Sequence, residues 1–127
     1  MTETHASERN DVGRRGEDAA VAYLERSGIR VLERNWRCRA GEIDVIGTDG
    51  ATLVLIEVKT RRTVAKGSPE EAVTPTKRRR IARVAAGYLA TLAEQPPAVR
   101  FDVVTLFVLG PERALLRHHR AAFEVGS

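Results

Sequence analysis

The sequence has only one cysteine, Cys38, in 127 residues. A lone thiol cannot form an internal disulfide, and it cannot build a zinc cluster by itself, which agrees with a reducing compartment. Long apolar runs are also missing. None approaches the ~18 residues of a membrane span, and the polar start MTETHASERND lacks the apolar core of a signal peptide. We therefore expect a cytoplasmic protein with no membrane partner, and the length favours a single domain.

Charge of both signs is plentiful, and the positive charge is grouped. The chain has 21 Lys and Arg residues against 17 Asp and Glu residues, a net charge of +4. The basic residues form five groups, at residues 14–15, 34–39, 59–62, 77–80 and 117–120. Grouped cations around a local acidic site predict a polyanionic partner, with nucleic acid favoured. The alternative is that these runs only keep the surface soluble.

The stretch GEIDVIGTDGATLVLIEVK predicts two antiparallel strands joined by a two-residue turn at Asp49 and Gly50. Asp44, Glu57 and Lys59 lie inside its apolar runs instead of at their ends. A charge in the interior of a strand needs a partner. These three residues are therefore the first candidates for a functional site.

The register of this hairpin decides whether the acids can meet. With Asp49 and Gly50 as the loop, Asp44 lies opposite Leu55, and alternation places four charged side chains on one face: Glu42, Asp44, Glu57 and Lys59. Asp44 and Glu57 become diagonal neighbours ~7–8 Å apart, a gap that two carboxylates can close on a shared divalent cation. A shift of one residue would put them on opposite faces. The competing interpretation is a solvated face with salt bridges, which alternation alone slightly favours.

A helix is predicted from about Asp11 to Ser27, with Gly28 as its C-terminal cap and residues 1–10 as a flexible tail. Its apolar side chains form one arc at helical spacing: Val12, Ala19, Ala20, Tyr23 and Leu24. Glu17 lies at the edge of that arc, where a carboxylate is costly unless it is paired, hydrogen-bonded or bound to a metal. From the helix alone, a salt bridge to an arginine is favoured over a role as a metal ligand.

The rest of the chain predicts a second helix and three more strands. Thr74 and Pro75 are typical of a helix start, and apolar residues then recur at helical spacing up to Leu92. Lys77 lies on the same face, so its cation could reach either the acidic site or a phosphate. The additional strands are predicted at Ile29–Trp36, Val99–Leu109 and Ala114–His119, the second of them central in the sheet.

The order of these elements predicts an α/β domain over residues 11–127, with a mixed central β-sheet flanked by helices. Asp102 is more simply a partner for an arginine than a ligand. His118 and His119 point to opposite faces of a strand, so we interpret both as surface residues. The basic connection TRRTVAKGSPEEAVTP is a candidate for a substrate-contacting loop, and a disordered crossover is the alternative.

Five blocks stand in order within residues 13–108: GRRGEDAAVAYL, RNWRCRAGEIDVIG, LIEVKTRR, EEAVTPTKRRRI and RFDVV. Together they resemble the YraN-like branch of the PD-(D/E)XK nuclease superfamily, small bacterial proteins similar to Holliday-junction resolvases. The superfamily signature is an acid on one strand followed by E-x-K on the next, which GEIDVI and EVK resemble. Ile43 stands where the signature has proline. The resemblance implies a restriction-endonuclease-like core.

The resemblance also implies a metal-dependent endonuclease that acts on DNA, including branched or structured DNA. Glu17, Asp44 and Glu57 would hold Mg²⁺ or Mn²⁺, with the backbone carbonyl of Val58 as a further ligand. Lys59 would orient the attacking water or help to deprotonate it. A divalent ion in such a site polarises the phosphodiester and shields the charge that develops on it.

Several basic residues are expected to contact the nucleic acid: Arg14, Arg37, Arg39, Arg61, Arg62, Lys66, Lys77 and Arg78. A two-fold symmetric homodimer would suit a junction. The alternative from another functional class is a non-catalytic module that binds DNA or RNA and keeps the acidic cluster for stability or regulation.

Overall fold

The computed structural model describes residues 3–62 and 74–124. Within these residues the elements follow the predicted order: α1 (Glu3–Arg26), β1 (Arg30–Cys38), β2 (Gly41–Asp49), β3 (Thr52–Arg61), α2 (Pro75–Leu89), β4 (Ala98–Gly110) and β5 (Arg113–Glu124). The strands form one sheet in chain order, antiparallel except for the parallel pair β3 and β4. The connection between that pair contains α2, because parallel strands need a crossover. The fold is therefore the predicted α/β class, and it is consistent with a restriction-endonuclease-like core.

Helix α1 ends as predicted but begins earlier. Gly28 has a φ of 99°, and its amide donates to the Glu25 carbonyl at 3.1 Å. The Ile29 amide donates to the Leu24 carbonyl at 2.9 Å, which completes a Schellman cap. At its other end the helix includes residues 3–10, which the sequence predicted as a tail. Their polar sequence has no apolar stripe to reveal a helix, but a formed helix gains one hydrogen bond for each residue it adds.

The two helices cover opposite faces of the sheet, and each closes its own apolar core. Strand β3 shows the division: Leu53 and Leu55 pack in the core under α2, whereas Val54 and Ile56 pack in the core under α1. Because side chains alternate along a strand, Glu57 and Lys59 project on the α2 face. Strand β4 is buried from Phe101 to Phe107, so its predicted central position is confirmed.

The turn between β2 and β3 differs from the prediction. Asp49 pairs with Thr52, so the loop is Gly50–Ala51 rather than Asp49–Gly50. Gly50 has a φ of 61° and Ala51 has no positive φ. This combination suits a type II′ turn, which has glycine at its first central position.

The resulting register moves each partner by two residues, so the paired side chains of residues 45–49 and 52–56 stay on their predicted faces. The last recorded pair toward the open end is Val45 with Ile56. Asp44 and Glu57 occupy the next position on each strand, where a continued register would place them opposite each other instead of diagonal. The predicted pairing of Asp44 with Leu55 was wrong, but the predicted shared face was right.

The remaining predictions concern element ends. Thr74 caps α2 as expected, because its hydroxyl accepts from the Lys77 amide at 3.2 Å. Strand β5 continues well beyond His119, past an irregularity at Ala121, whose φ is 53°. Strand β1 has a bulge next to Leu32, where the sequence alternation breaks. The predicted substrate loop lies mostly outside the described residues.

The described helices can be compared with what a helix needs to cross a lipid bilayer. α1 is 24 residues long, but its sequence is polar. Within residues 3–62 and 74–124, no helix combines the length and the apolar character that a bilayer crossing needs.

Candidate active site

Asp44 lies where strands β2 and β3 separate, one residue beyond their last recorded pair. The Val58 amide donates to the Asp44 carboxylate Oδ2 at 2.8 Å and so fixes its orientation. Burial raises the pKa of Asp44 above its usual value, and the hydrogen bond from Val58 lowers it. The negative charges of Glu57, Glu17 and Glu42 raise the pKa further. A cation at this position would favour the ionised form and lower the pKa.

Glu57 faces Asp44 from β3 and is only partly satisfied. Its Oε1 accepts from the Lys77 ammonium at 3.1 Å, and both side chains are about three-quarters buried. Its Oε2 is buried and has no hydrogen-bond partner among the described residues. A buried carboxylate oxygen without a partner is costly. Hard divalent cations bind such oxygens, so the chemistry of Glu57 fits a metal ligand.

A small cavity of about 100 Å³ joins the two acids between β2, β3 and α2. Its charged walls are Glu42, Asp44, Glu57, Lys77 and Arg80. The volume admits several waters or a partly hydrated ion. In residues 3–62 and 74–124, no three Asp, Glu, His or Cys side chains come close enough together to hold an ion. Asp44 and Glu57, the pair that the fold brings together, nevertheless offer carboxylate oxygens, which are the kind of donor that Mg²⁺ or Mn²⁺ prefers.

Glu17 does not join this pair directly. Its Oε1 accepts from Arg34 at 3.0 and 3.1 Å and from Asn35 at 3.0 Å. Asn35 has a φ of 53° within β1, a conformation that asparagine tolerates better than most residues. The salt-bridge alternative for Glu17 is therefore confirmed. Its charge still raises the pKa of Asp44, so Glu17 borders the acidic site.

Gly16 allows α1 to pack closely against β3 beside the acidic site. A Cβ atom at Gly16 would collide with the Thr60 hydroxyl oxygen on β3, whereas Gly13, almost one turn earlier, has open space around it. The missing side chain therefore lets the helix approach the strand. Glu17 follows Gly16 directly and gains its position at the edge of the site from this contact.

Lys59 lies on the same strand face as Glu57, as predicted, and is partly buried. It is in register with Thr105 of β4, whose buried hydroxyl has no hydrogen-bond partner among the described residues. Val58 lies between Glu57 and Lys59, and its amide already holds Asp44. Within the E-x-K segment, Glu57 lines the cavity, the Val58 amide binds Asp44, and Lys59 follows on the same strand face as Glu57.

The predicted nucleic-acid contacts differ in exposure. Five are exposed, namely Arg14, Arg37, Arg39, Arg62 and Arg78, while Arg61 is partly buried. Arg37 pairs with Glu42 at 3.5 Å on the open surface. Lys77 forms an ion pair with Glu57 in the acidic site. Of the two predicted targets of its cation, the acidic site and a phosphate, the structure shows the first. Lys66 lies outside the described residues.

Sequence reasoning missed a buried polar network between α1, β4 and β5. Asp102 is fully buried and accepts from His118 at 2.8 Å, from Arg100 at 2.8 and 3.0 Å and from the Ala121 amide at 2.9 Å. Burial opposes its ionisation, but these hydrogen bonds outweigh burial and lower the pKa of Asp102 to about 2. His118 also bonds the Tyr23 hydroxyl at 3.0 Å. The arginine partner of Asp102 is confirmed. The surface position predicted for both histidines was wrong for His118, whose side chain is only 4% exposed, and His119 is also partly buried.

One signal could have exposed this network. Asp102 is a lone acid in the apolar strand VRFDVVTLFVL, and such an acid needs several donors. The adjacent histidines stand on the next strand, one on each face, so one of them had to lie on the same face as Asp102. Periodicity could not say which one, because that depends on the β4–β5 register.

Comparison with known proteins places this site in a family. A family model described as "Uncharacterised protein family UPF0102" matches residues 16–106. A UPF0102 protein of Geobacter sulfurreducens is 46% identical over 114 residues, which cover 90% of this chain and 89% of that protein. One of Symbiobacterium thermophilum is 56% identical over 93 residues, 73% of this chain and 79% of the relative. One of Geotalea daltonii is 43% identical over 121 residues, 94% of each. The matched span contains Glu17, Asp44, Glu57 and Lys59.

Proposed function

The chain belongs to the uncharacterised protein family UPF0102, and we propose that it is a metal-dependent endonuclease that hydrolyses phosphodiester bonds in DNA. The observation that carries this proposal is the meeting of Asp44 and Glu57 where β2 and β3 separate, with a buried Glu57 oxygen that no described group satisfies. The resemblance to PD-(D/E)XK nucleases supports the same assignment, since it rests on these positions. Branched or structured DNA is the favoured substrate form.

The proposed hydrolysis of the phosphodiester needs both a divalent metal ion and side chains of the protein. A Mg²⁺ or Mn²⁺ ion held by Asp44, Glu57 and the Val58 carbonyl would polarise the phosphodiester and neutralise its developing charge. For Glu17 to become a further ligand, its carboxylate must leave Arg34 and Asn35, to which it now bonds.

The chain's own residues orient the reacting groups. The Val58 amide fixes the Asp44 carboxylate, and Lys77 holds one oxygen of Glu57, while the other is buried and has no partner within residues 3–62 and 74–124. Lys59 projects on the same face as Glu57, so its ammonium can donate a hydrogen bond to an attacking water or to a phosphate oxygen. The surrounding arginines would hold the polyanionic backbone.

Cleavage assays test the proposal. Purified protein is incubated with supercoiled, linear, single-stranded and four-way-junction DNA in Mg²⁺ or Mn²⁺, beside Asp44→Ala and Lys59→Ala variants. We expect cleavage by the parent and a loss of at least about a hundredfold in both variants, with DNA binding retained. Glu94→Ala is the matched control, because Glu94 is an exposed acid outside the site. DNA binding without cleavage of any substrate would sink the enzyme hypothesis.

One observation favours a second candidate, a non-catalytic module that binds DNA or RNA. Among the described residues the acids do not converge on one point, and Glu17 and Glu57 each already bond a cationic side chain. In such a module the acids would serve stability or regulation.

Calorimetric titration with Mn²⁺ separates the two candidates. The endonuclease proposal expects Mn²⁺ binding by the parent and weaker binding by at least about tenfold in Glu57→Gln. Equal affinity in the two proteins would contradict the assigned ligands and favour the binding module.

Location and assembly belong to the same proposal. We place the protein in the cytoplasm, where its DNA substrate and a reduced Cys38 are both expected. A two-fold symmetric homodimer on the DNA would match the symmetry of a branched substrate.

A further inference from the structure

A second cavity, which we call the arginine groove, lies on the α1 face of the sheet. Its volume is about 540 Å³, and its walls come from α1, the end of β3, β4 and the turn into β5. That volume is within the usual range for ligand sites, roughly 300–1,000 Å³. The groove is separate from the acidic cavity, which opens on the α2 face.

The groove is strongly cationic. Among the described residues, Arg15, Arg62 and Arg113 line it together with one acid, Glu112. All three arginines are exposed, and within residues 3–62 and 74–124 none of their guanidinium groups has a recorded ion pair or hydrogen bond. Unpaired guanidinium groups on one concave surface suit phosphate groups, which they can bind through two parallel hydrogen bonds.

The groove also has an apolar wall. Leu106 is buried in it, while Leu109 is 54% exposed, more than the other two exposed large hydrophobic residues of the described ranges, Leu32 and Leu115. Pro111 and Ala114 extend this wall. An apolar wall beside unpaired arginines suits a ligand that has both a flat uncharged face and a phosphate.

The position of the groove connects it to the acidic site. Gly16 and Thr60 line the groove. Glu17 directly follows Gly16 in the chain, and Lys59 directly precedes Thr60. Thr60 lies three residues beyond Glu57 on β3, a distance of roughly 10 Å along a strand. A polynucleotide that leaves the groove past Thr60 would therefore pass the end of β3 from which Glu57 and Lys59 project on the opposite face of the sheet.

From these observations we propose that the arginine groove binds an unpaired nucleotide in a single-stranded segment of the substrate. This inference rests on the proposed nucleic-acid function and deepens it, because it selects substrates with unpaired segments. A fully paired duplex presents phosphates but keeps its bases stacked, so the apolar wall would add nothing to its binding. A single strand exposes base faces, which pack against apolar side chains and arginine planes while the phosphates bind the cations.

Fluorescence anisotropy tests the proposal with a labelled oligo-dT strand and a blunt duplex of equal length. EDTA is present throughout, so the result does not depend on cleavage, and failure of the catalytic proposal is distinguishable from failure of this one. We expect Leu109→Glu and Arg113→Ala each to weaken binding of the single strand by about tenfold and binding of the duplex by less than about threefold. Arg113→Ala should also reduce the salt dependence of single-strand binding by slightly less than one counterion.

The matched controls are Leu115→Glu and Arg26→Ala, an exposed leucine and an exposed arginine outside the groove. Both should leave the single-strand affinity within about twofold of the parent. Equal losses on strand and duplex, no loss in either groove variant, or no single-strand binding by the parent would overturn the proposal. If Leu109→Glu is unfolded by circular dichroism, Arg113→Ala decides. A parent dimer that dissociates in Leu109→Glu at unchanged single-strand affinity would assign the groove to a second copy of the chain.

Discussion

At the scale of single residues, Asp44 is an acid that the fold does not favour in its charged form. Burial and three neighbouring carboxylates raise its pKa, and the hydrogen bond from the Val58 amide opposes them. We expect Asp44→Asn to raise the free energy of unfolding in EDTA at neutral pH by about 1 kcal/mol, because the amide oxygen keeps the Val58 hydrogen bond without the charge. Urea unfolding followed by circular dichroism measures this change.

Asp44→Ala is the matched control for that prediction. It removes the charge, but it also leaves the Val58 amide without its acceptor. It should therefore gain less stability than Asp44→Asn or lose some. An Asp44→Asn variant less stable than the parent would contradict the electrostatic account of this residue.

The pair formed by Lys77 and Glu57 is the second feature at this scale. Removal of the ammonium takes away the ion pair recorded for the largely buried Glu57 among the described residues, so we expect Lys77→Ala to lower the free energy of unfolding in EDTA by about 1–3 kcal/mol. If Glu57 binds Mn²⁺, the ion should raise the melting temperature of Lys77→Ala more than that of the parent. Thermal unfolding with and without Mn²⁺ measures both effects.

Arg37→Ala provides the comparison, because its ion pair with Glu42 is 3.5 Å long and solvent-exposed. Such a pair contributes little, about 0–1 kcal/mol. If Arg37→Ala proves as destabilising as Lys77→Ala, the special importance of the Glu57 pair is refuted.

At the scale of elements, the approach of α1 to β3 depends on Gly16. Gly16→Ala should destabilise the protein by about 1–3 kcal/mol, because the new methyl group would collide with Thr60. Gly13→Ala, on the same helix, meets no atom within 4 Å and should instead stabilise by about 0.5–1 kcal/mol through helix propensity. Chemical unfolding of the two variants checks the opposite signs. Stabilisation of equal size in both would show that α1 does not need the close contact.

The β2–β3 hairpin shows why the predicted register was shifted. Asp49 and Gly50 together resemble a turn, but Asp49 is held in β2 by ion pairs with Arg100 at 3.0 Å and Arg120 at 3.3 Å. Both arginines lie on strands far away in sequence. No local pattern could have included them, so the loop was placed one residue too early. The face of each acid was nevertheless predictable, because alternation survives a register displacement of two residues.

At the scale of the whole molecule, the Asp102 network joins α1, β4 and β5. The pKa of Asp102 is lowered to about 2, below the value expected for an unfolded chain. The network therefore stabilises the fold fully above about pH 4, and this contribution falls as the pH decreases from about 4 to about 2. We expect a loss of about 2 kcal/mol over that interval, measured by urea unfolding at several pH values.

Asp102→Asn tests the source of this pH dependence. It should be less stable than the parent at neutral pH, because the amide cannot satisfy the buried Arg100 charge. Its stability should also fall less steeply between pH 4 and pH 2. Asp18→Asn, at an exposed acid, is the control and should keep the parent profile. Equal slopes for the parent and Asp102→Asn would remove Asp102 as the cause.

The sequence by itself determined the order of the elements, the cap residues Gly28 and Thr74, and the shared face of Asp44 and Glu57. These features depend on periodicity and capping, which act over a few neighbouring residues. Only the tertiary structure decided which charged groups pair: Glu17 with Arg34, Glu57 with Lys77, and His118 with Asp102. Those partners are brought together by helices docking on the sheet and by the register of strands distant in sequence. The sequence contains many cations that could serve each acid, and packing selects among them.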